Sequence, residues 1–199
     1  MRLNLEQESA LVGMILGDGF IQSTSRKNAR LRLEHRADHK DYLIWKANIL
    51  SGLFQGQPKF IQRKHPITRK IYSYVRQQSN SSPILGEFRK IFYPNGKKII
   101  PDNLHKLLKT GLALTIWYLD DGYYYPRDKC AYIYLGRTSR REAEIASKTI
   151  AEKFGLENKV LDKKNKGFVI YFPRRVLNKL SAIAGRYKIP EVMLYKLSF

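Results

Sequence analysis

With one cysteine, Cys130, among 199 residues, the chain has no partner for an internal disulfide. Its four histidines, His35, His39, His65 and His105, are scattered, and no Cys/His cluster has zinc-site spacing. No apolar run reaches the roughly 20 residues a membrane-spanning helix needs. Nor does a signal-like stretch precede Asn4. These absences lead us to expect an intracellular, reducing setting (bacterial or archaeal cytoplasm, or an organelle) and no membrane partner. Acid is the other scarcity: Asp and Glu total 17 against 37 Lys and Arg, a formal net charge of +20 with a pI near 10. Such a field favours a polyanion, and nucleic acid is the polyanion expected here.

In a chain so poor in acids, two apolar runs that end in Asp-Gly stand out. They are Leu11 to Gly19, reading LVGMILGDG, and Leu114 to Gly122, reading LTIWYLDDG. As helices they would be apolar on nearly every side, so both should be buried, against each other. Asp18, Asp120 and Asp121 then lie in final turns, where the helix dipole is negative, at a cost of roughly 0.3–1 kcal/mol each, and something cationic should compensate. Gly19 and Gly122 suit the left-handed position that ends many helices.

The remaining sequence repeats one order twice. Asn4 and Gln7 form a capping-box pattern for a helix over Leu5 to Asp18. Strands are read at Phe20 to Thr24 and Ala29 to Arg36, then a helix opened by Asp38 and Asp41 with Tyr42, Trp45, Ile49, Leu50 and Leu53 on its apolar side. Strands at Lys59 to Arg63 and Lys70 to Gln77 follow, and Ser82-Pro83 starts another helix. A link, Lys97 to Lys109, leads to Thr110 as cap of the second Asp-Gly helix. After it come a tyrosine-rich strand, a strand from Ala131 to Thr138, a helix boxed by Ser139 and Glu142 and closed by Gly155, strands at Lys159 to Lys163 and Phe168 to Phe172, and a helix opened by Pro173. An α+β fold of tandem αββαββα halves, 1–100 and 101–199, is the expectation.

Both Asp-Gly segments resemble the nine-residue helix motif that names the LAGLIDADG homing endonucleases, here the single-chain type with two motifs. The acid at position eight is Asp18 in one copy and Asp121 in the other. Gly13 and Gly17 take the small positions three and seven of the first copy, where the second has Ile116 and Asp120. The resemblance covers nearly the whole chain. It implies two antiparallel four-stranded sheets around a pseudo-twofold axis, forming a DNA-binding saddle, and a site-specific, metal-dependent double-strand endonuclease acting in intron homing. Asp18 and Asp121 would hold Mg²⁺ (or Mn²⁺), with the carbonyls of Gly17 and Asp120 as further ligands. Lys98, in KKIIP, and Lys196, in MLYKL, would be the basic catalytic residues flanking the two sites, and Lys188, beside Pro190, is a rival for the second role.

Strand parity, with Ile21, Leu31, Leu33, Ile71 and Val75 turned to the core, puts Gln22, Thr24, Arg30, Arg32, Glu34, Tyr72, Tyr74, Arg76 and Gln78 outward as DNA-binding candidates. In the second half Tyr132, Tyr134 and Thr138 oppose Ile133 and Leu135. The unlike halves imply a long asymmetric duplex bound by a monomer. The alternatives are an RNA-splicing maturase of the same fold, with intron RNA as partner, and a non-catalytic DNA-binding regulator.

Overall fold

A computed structural model describes residues 2–199. Helix α1 (Leu5–Leu16) starts at the Asn4–Gln7 capping box, both of whose hydrogen bonds form. Strands β1 (Phe20–Ser23) and β2 (Ala29–Arg36), helix α2 (Lys40–Ile49), strands β3 (Lys59–Lys64) and β4 (Ile71–Gln78) and helix α3 (Pro83–Phe92) complete the first half. The link carries a short helix, α4 (Leu104–Leu107), that its sequence did not announce. Then come α5 (Gly111–Asp121), β5 (Gly122–Tyr125), β6 (Cys130–Tyr134), α6 (Arg140–Phe154), β7 (Lys159–Asp162), β8 (Phe168–Phe172) and α7 (Arg174–Ala184). A 3-10 segment, Glu191–Leu197, brings the chain's end back to the centre. Both sheets are antiparallel and have the same order, β1-β2-β4-β3 and β5-β6-β8-β7.

The two apolar helices form the axis of the molecule. Every residue from Ser9 to Leu16 in α1 and from Leu112 to Leu119 in α5 is buried, and each fully buried Leu or Ile stabilises by roughly 1.5–3 kcal/mol. Gly13 sets their closeness: a Cβ there would lie 2.5 Å from the Ala113 carbonyl oxygen and 3.0 Å from the Ile116 Cβ. Small residues on α1 thus receive large ones on α5, and Ile116 and Asp120 fill the space that Gly13 and Gly17 leave.

Several expectations need correction. Helix α1 ends at Leu16 and not at Asp18, because Gly17 turns out of the helix at φ −82°, ψ −133°. Neither Gly19 nor Gly122 is left-handed; each is glycine because a Cβ would strike a carbonyl oxygen of its own helix, Met14 at 2.5 Å for Gly19 and Tyr118 for Gly122. Thr110 stands at the N-cap of α5 but makes no side-chain cap bond. Ile71 is 64% exposed and not core, since the β3–β4 hairpin runs on past the helices that cover Val75. Strand β6 stops at Tyr134, and Gly136, at φ +62°, turns the chain away, so Thr138 is not on the sheet face.

Candidate active site

The ends of α1 and α5 meet beneath the outward sheet faces. One cavity is lined by Gly17, Asp18, Phe20, Lys98, Asp121, Tyr134 and Thr138; its counterpart by Asp18, Arg32, Glu34, His35, Tyr42, Tyr74, Asp120 and Lys196. Two lysines supply the compensating cations, in matching ways. Lys98 Nζ donates to the carbonyls of Gly17, at 2.5 Å, and Leu16, at 3.3 Å. Lys196 Nζ donates to the carbonyls of Leu119, at 2.6 Å, and Asp120, at 3.0 Å. Each lysine thus satisfies motif positions six and seven, the orphan acceptors of a helix C-terminus. Lys188 is exposed on the loop after α7. Desolvation lowers the pKa of both site lysines, against the pull of the acids.

The acids respond differently. Burial, then the charges of Asp18 and Asp120, push Asp121 up to about 8. Asp18 is also raised, by desolvation first and Asp120 second, although its side chain is 47% exposed. Asp120 is held below the usual carboxylate range: burial, the largest influence, would raise it, but the Lys46 charge and the hydrogen bonds from Lys46 and the Asp18 N–H help to outweigh it together. Its side chain and that of Lys46 are both 0% exposed, with Lys46 Nζ 2.8 and 3.1 Å from the two carboxylate oxygens. The Tyr42 hydroxyl donates to the same carboxylate at 2.8 Å. The backbone N–H of Asp18 donates to Asp120 Oδ2 at 3.0 Å, across the pseudo-twofold. The resemblance gives Asp120 only a carbonyl role. Its side chain is instead the hub of a buried network.

Sequence reasoning missed Lys46, Tyr42 as a donor, and His35. A signal for each existed. Lys46 lies four residues after Tyr42 on the buried stripe of α2, and His35 continues the inward parity of Ala29, Leu31 and Leu33 along β2. His35 Nδ1 is 3.7 Å from Asp18 Oδ2, and its Nε2 is buried without a hydrogen-bond partner. Burial first and the Lys46 charge second lower its pKa to about 3, so it is neutral.

The outward residues of the first sheet fall into register, Gln22 beside Arg30, Arg32 between Phe20 and Gln78, Glu34 beside Arg76, and Tyr72 beside Arg63. Glu34 binds Arg63 and Arg76, each at 2.6 Å, and these pairs outweigh desolvation to lower its pKa. Thr24, just past β1, pairs with Ser81. The second sheet has another character. Tyr132 and Tyr134 are joined on its face by Tyr123, Tyr125 and Tyr171, which the sequence reading had not singled out. Tyr125 and Tyr134 share a 2.6 Å hydrogen bond, and Lys163 sits 4.7 Å over the ring of Tyr132. Thr138 instead lines the cavity that also holds Asp121 and Lys98, with its hydroxyl buried and unpartnered.

Among the described residues, ligand atoms of Asp18, His35 and Asp120 lie within 4.8 Å of one another. That group is a poor cation site, because the Asp120 carboxylate is already neutralised by Lys46. Asp18 and Asp121 could hold a cation: their carboxylate oxygens are hard donors, and both groups are raised by burial first and by neighbouring carboxylates second, a repulsion that a bound cation would relieve. No helix among the described residues is long and apolar enough to cross a membrane.

Comparison with known proteins agrees with this geometry. The chain is similar to a solved structure of the homing endonuclease I-WcaI bound to its DNA recognition sequence, with a TM-score of 0.90 and 27% identity, covering 100% of this chain and 88% of that one. It is 28% identical over 198 residues to a probable intron-encoded endonuclease of Wickerhamomyces canadensis, across 97% of this chain and 84% of that protein. It is 26% identical to the cytochrome b mRNA maturase bI2 of Saccharomyces cerevisiae, covering 98% of this chain but 48% of that longer protein. Of the RecA proteins of Mycolicibacterium flavescens and Mycolicibacterium chitae, to which it is 32% and 31% identical over 131 residues, it spans 28%. The model of the LAGLIDADG DNA endonuclease family matches residues 8–180. With a match over most of its length and both motif acids at the paired helix ends, the chain belongs to the LAGLIDADG DNA endonuclease family.

Proposed function

We propose that this chain is a metal-dependent, site-specific endonuclease that cuts both strands of a long asymmetric DNA duplex, with Asp18 and Asp121 each serving one strand. One observation carries the reading: at each of two paired helix ends, a motif acid stands beside a lysine bound to the neighbouring carbonyls. Asp18, Asp121 and the carbonyls of Gly17 and Asp120 are the candidate ligands of Mg²⁺ or Mn²⁺. Such a cation supplies positive charge at the scissile phosphate and an activated water. Lys98 and Lys196 border the same cavities and are placed to donate to phosphate oxygens as charge develops.

Recognition falls to the sheet faces. Arg30, Arg32 and Arg76 have the fork geometry that reads guanine in the major groove, Gln22 and Gln78 suit adenine, and Glu34 orients Arg63 and Arg76. Tyr72 and Tyr74 add ring surface on that face, Tyr132 and Tyr134 on the other. Because α1 already has α5 as its partner within the chain, one copy suffices, and the working form is a monomer.

Incubation with a plasmid library of candidate sites and Mg²⁺ or Mn²⁺, followed by end mapping, tests the proposal. Recurrent double-strand ends within one long sequence are expected. Tight DNA binding without cleavage would instead mark a regulator, and selective intron RNA binding without cleavage a maturase.

A further inference from the structure

The two copies of the motif end differently. In α5 the acid Asp121 is the last helical residue. In α1 the helix stops two residues before Asp18, which stands outside it. An N–H released from the helix needs another acceptor, since an unpaired buried donor costs about 1–3 kcal/mol. For Asp18 the acceptor is the Asp120 carboxylate, at 3.0 Å. No reciprocal bond exists, because the residue at the equivalent place in the first motif is Gly17, which has no side chain. A Cβ on Gly17 would collide with Asp120 Oδ2, Cβ and Cγ. Glycine at 17 and aspartate at 120 are thus one complementary pair.

Asp120 is in turn fixed from α2. Lys46 and Tyr42, one helical turn apart, both bind its carboxylate, and neither side chain touches solvent. A fully desolvated ion pair contributes little net stability compared with apolar residues of similar volume. Its geometric effect is clear: it locks the acceptor that holds the Asp18 backbone.

We propose that Lys46 and Tyr42 act through the Asp120 carboxylate as positioning residues for Asp18 more than for Asp121, so that removing this support makes the enzyme cut its two strands unequally. The inference rests on the nuclease reading above for its consequence in cleavage, and on geometry alone for its consequence in the free protein.

Two double variants separate positioning from mere structure. Lys46→Met with Asp120→Leu replaces the pair by apolar groups and removes the acceptor. Lys46→Met with Asp120→Asn removes the charges but keeps a carbonyl oxygen for the Asp18 N–H. In the metal-free protein, amide hydrogen exchange at Asp18 should quicken about tenfold or more in the Leu variant, as expected for an amide that loses its only bond. It should stay near wild type in the Asn variant, with the Gly19 amide, bonded to Met14 at 2.7 Å, unchanged in both. On a duplex that wild type cuts, the Leu variant should slow one strand about tenfold or more beyond the other, and the Asn variant should restore most of the balance. Tyr42→Phe, a milder change, should shift the same strand in the same direction, and it carries the test if the Leu variant does not fold. Unchanged Asp18 exchange, or equal slowing of both strands, would overturn the proposal. A wild type that cuts nothing would sink the nuclease reading while leaving the exchange result to decide the geometry.

Discussion

Lys98 donates to the carbonyl of Gly17 at 2.5 Å, at the negative end of the helix that presents Asp18. Lys196 repeats the contact on Asp120. Both ammonium groups are kept beside the acids rather than out on the DNA-facing sheets, so their loss should be felt in chemistry. Lys98→Met and Lys196→Met are each expected to slow single-turnover cleavage by about 10²–10³-fold, the range for removing one preorganised donor. Gel-shift affinity should stay within about threefold, because the lost interaction belongs to the transition state. A variant that loses affinity and rate in equal proportion would place its lysine among the ordinary phosphate contacts.

The metal-free protein should lose stability as pH rises from about 6.5 to 8. Asp121 keeps its proton in the fold up to about 8, whereas an unfolded aspartate loses it near ~4. Between those values the folded state binds more protons, so ionisation works against folding as pH rises. Asp18, also raised, has the same sign. His35, neutral in the fold down to about 3, acts oppositely, but only below the ordinary histidine value of ~6.5. Thermal melts across this interval should slope downward in wild type and flatten in Asp121→Asn. An identical slope in both proteins would show that Asp121 ionises normally.

The charge of +20 predicts steep salt dependence. If roughly ten phosphates are neutralised, the slope of log affinity against log salt should be near −9. Titration of a cognate duplex between 50 and 300 mM salt reads it directly, and a slope shallower than about −3 would mean that most of the basic surface does not track the phosphate backbone.

The two faces differ in chemistry, so the two half-sites should be read differently. Guanidinium groups dominate the first sheet, and replacing a contacted guanine by 7-deazaguanine there should cost about 1–3 kcal/mol. The tyrosine face of the second offers hydroxyls and ring edges, which suit thymine methyls. Uracil-for-thymine replacement should therefore weaken binding mainly in the other half-site. Equal sensitivity of both halves to both replacements would contradict this division.

The paired axis was legible because two long apolar stretches ending in acid and glycine permit few arrangements, and the doubled element order gave both sheets. Strand parity placed Arg30, Arg32, Glu34 and Arg76 on one face because β2 and the near part of β4 are covered on their other side. It failed at Ile71, where the hairpin outruns its cover and alternation loses its meaning. Thr138 was misplaced because the strand was read through Gly136, the residue that turns the chain away at φ +62°. The network around Asp120 was hidden for a different reason. Its contacts span 74 to 102 residues of sequence, and Lys46 looked like one more surface cation in a chain that has many.

Changing Asp18 and Asp121 to Asn together, and measuring cleavage and gel-shift affinity on one duplex that wild type cuts, with and without Mg²⁺, tests the central claim most directly. Size and hydrogen-bonding capacity are retained while the two charges proposed to hold the cation are lost. The account predicts that hydrolysis of both strands collapses while DNA binding persists, undiminished or tighter without metal, since two carboxylates no longer face the phosphates. A double variant that cuts at the wild-type rate would contradict it.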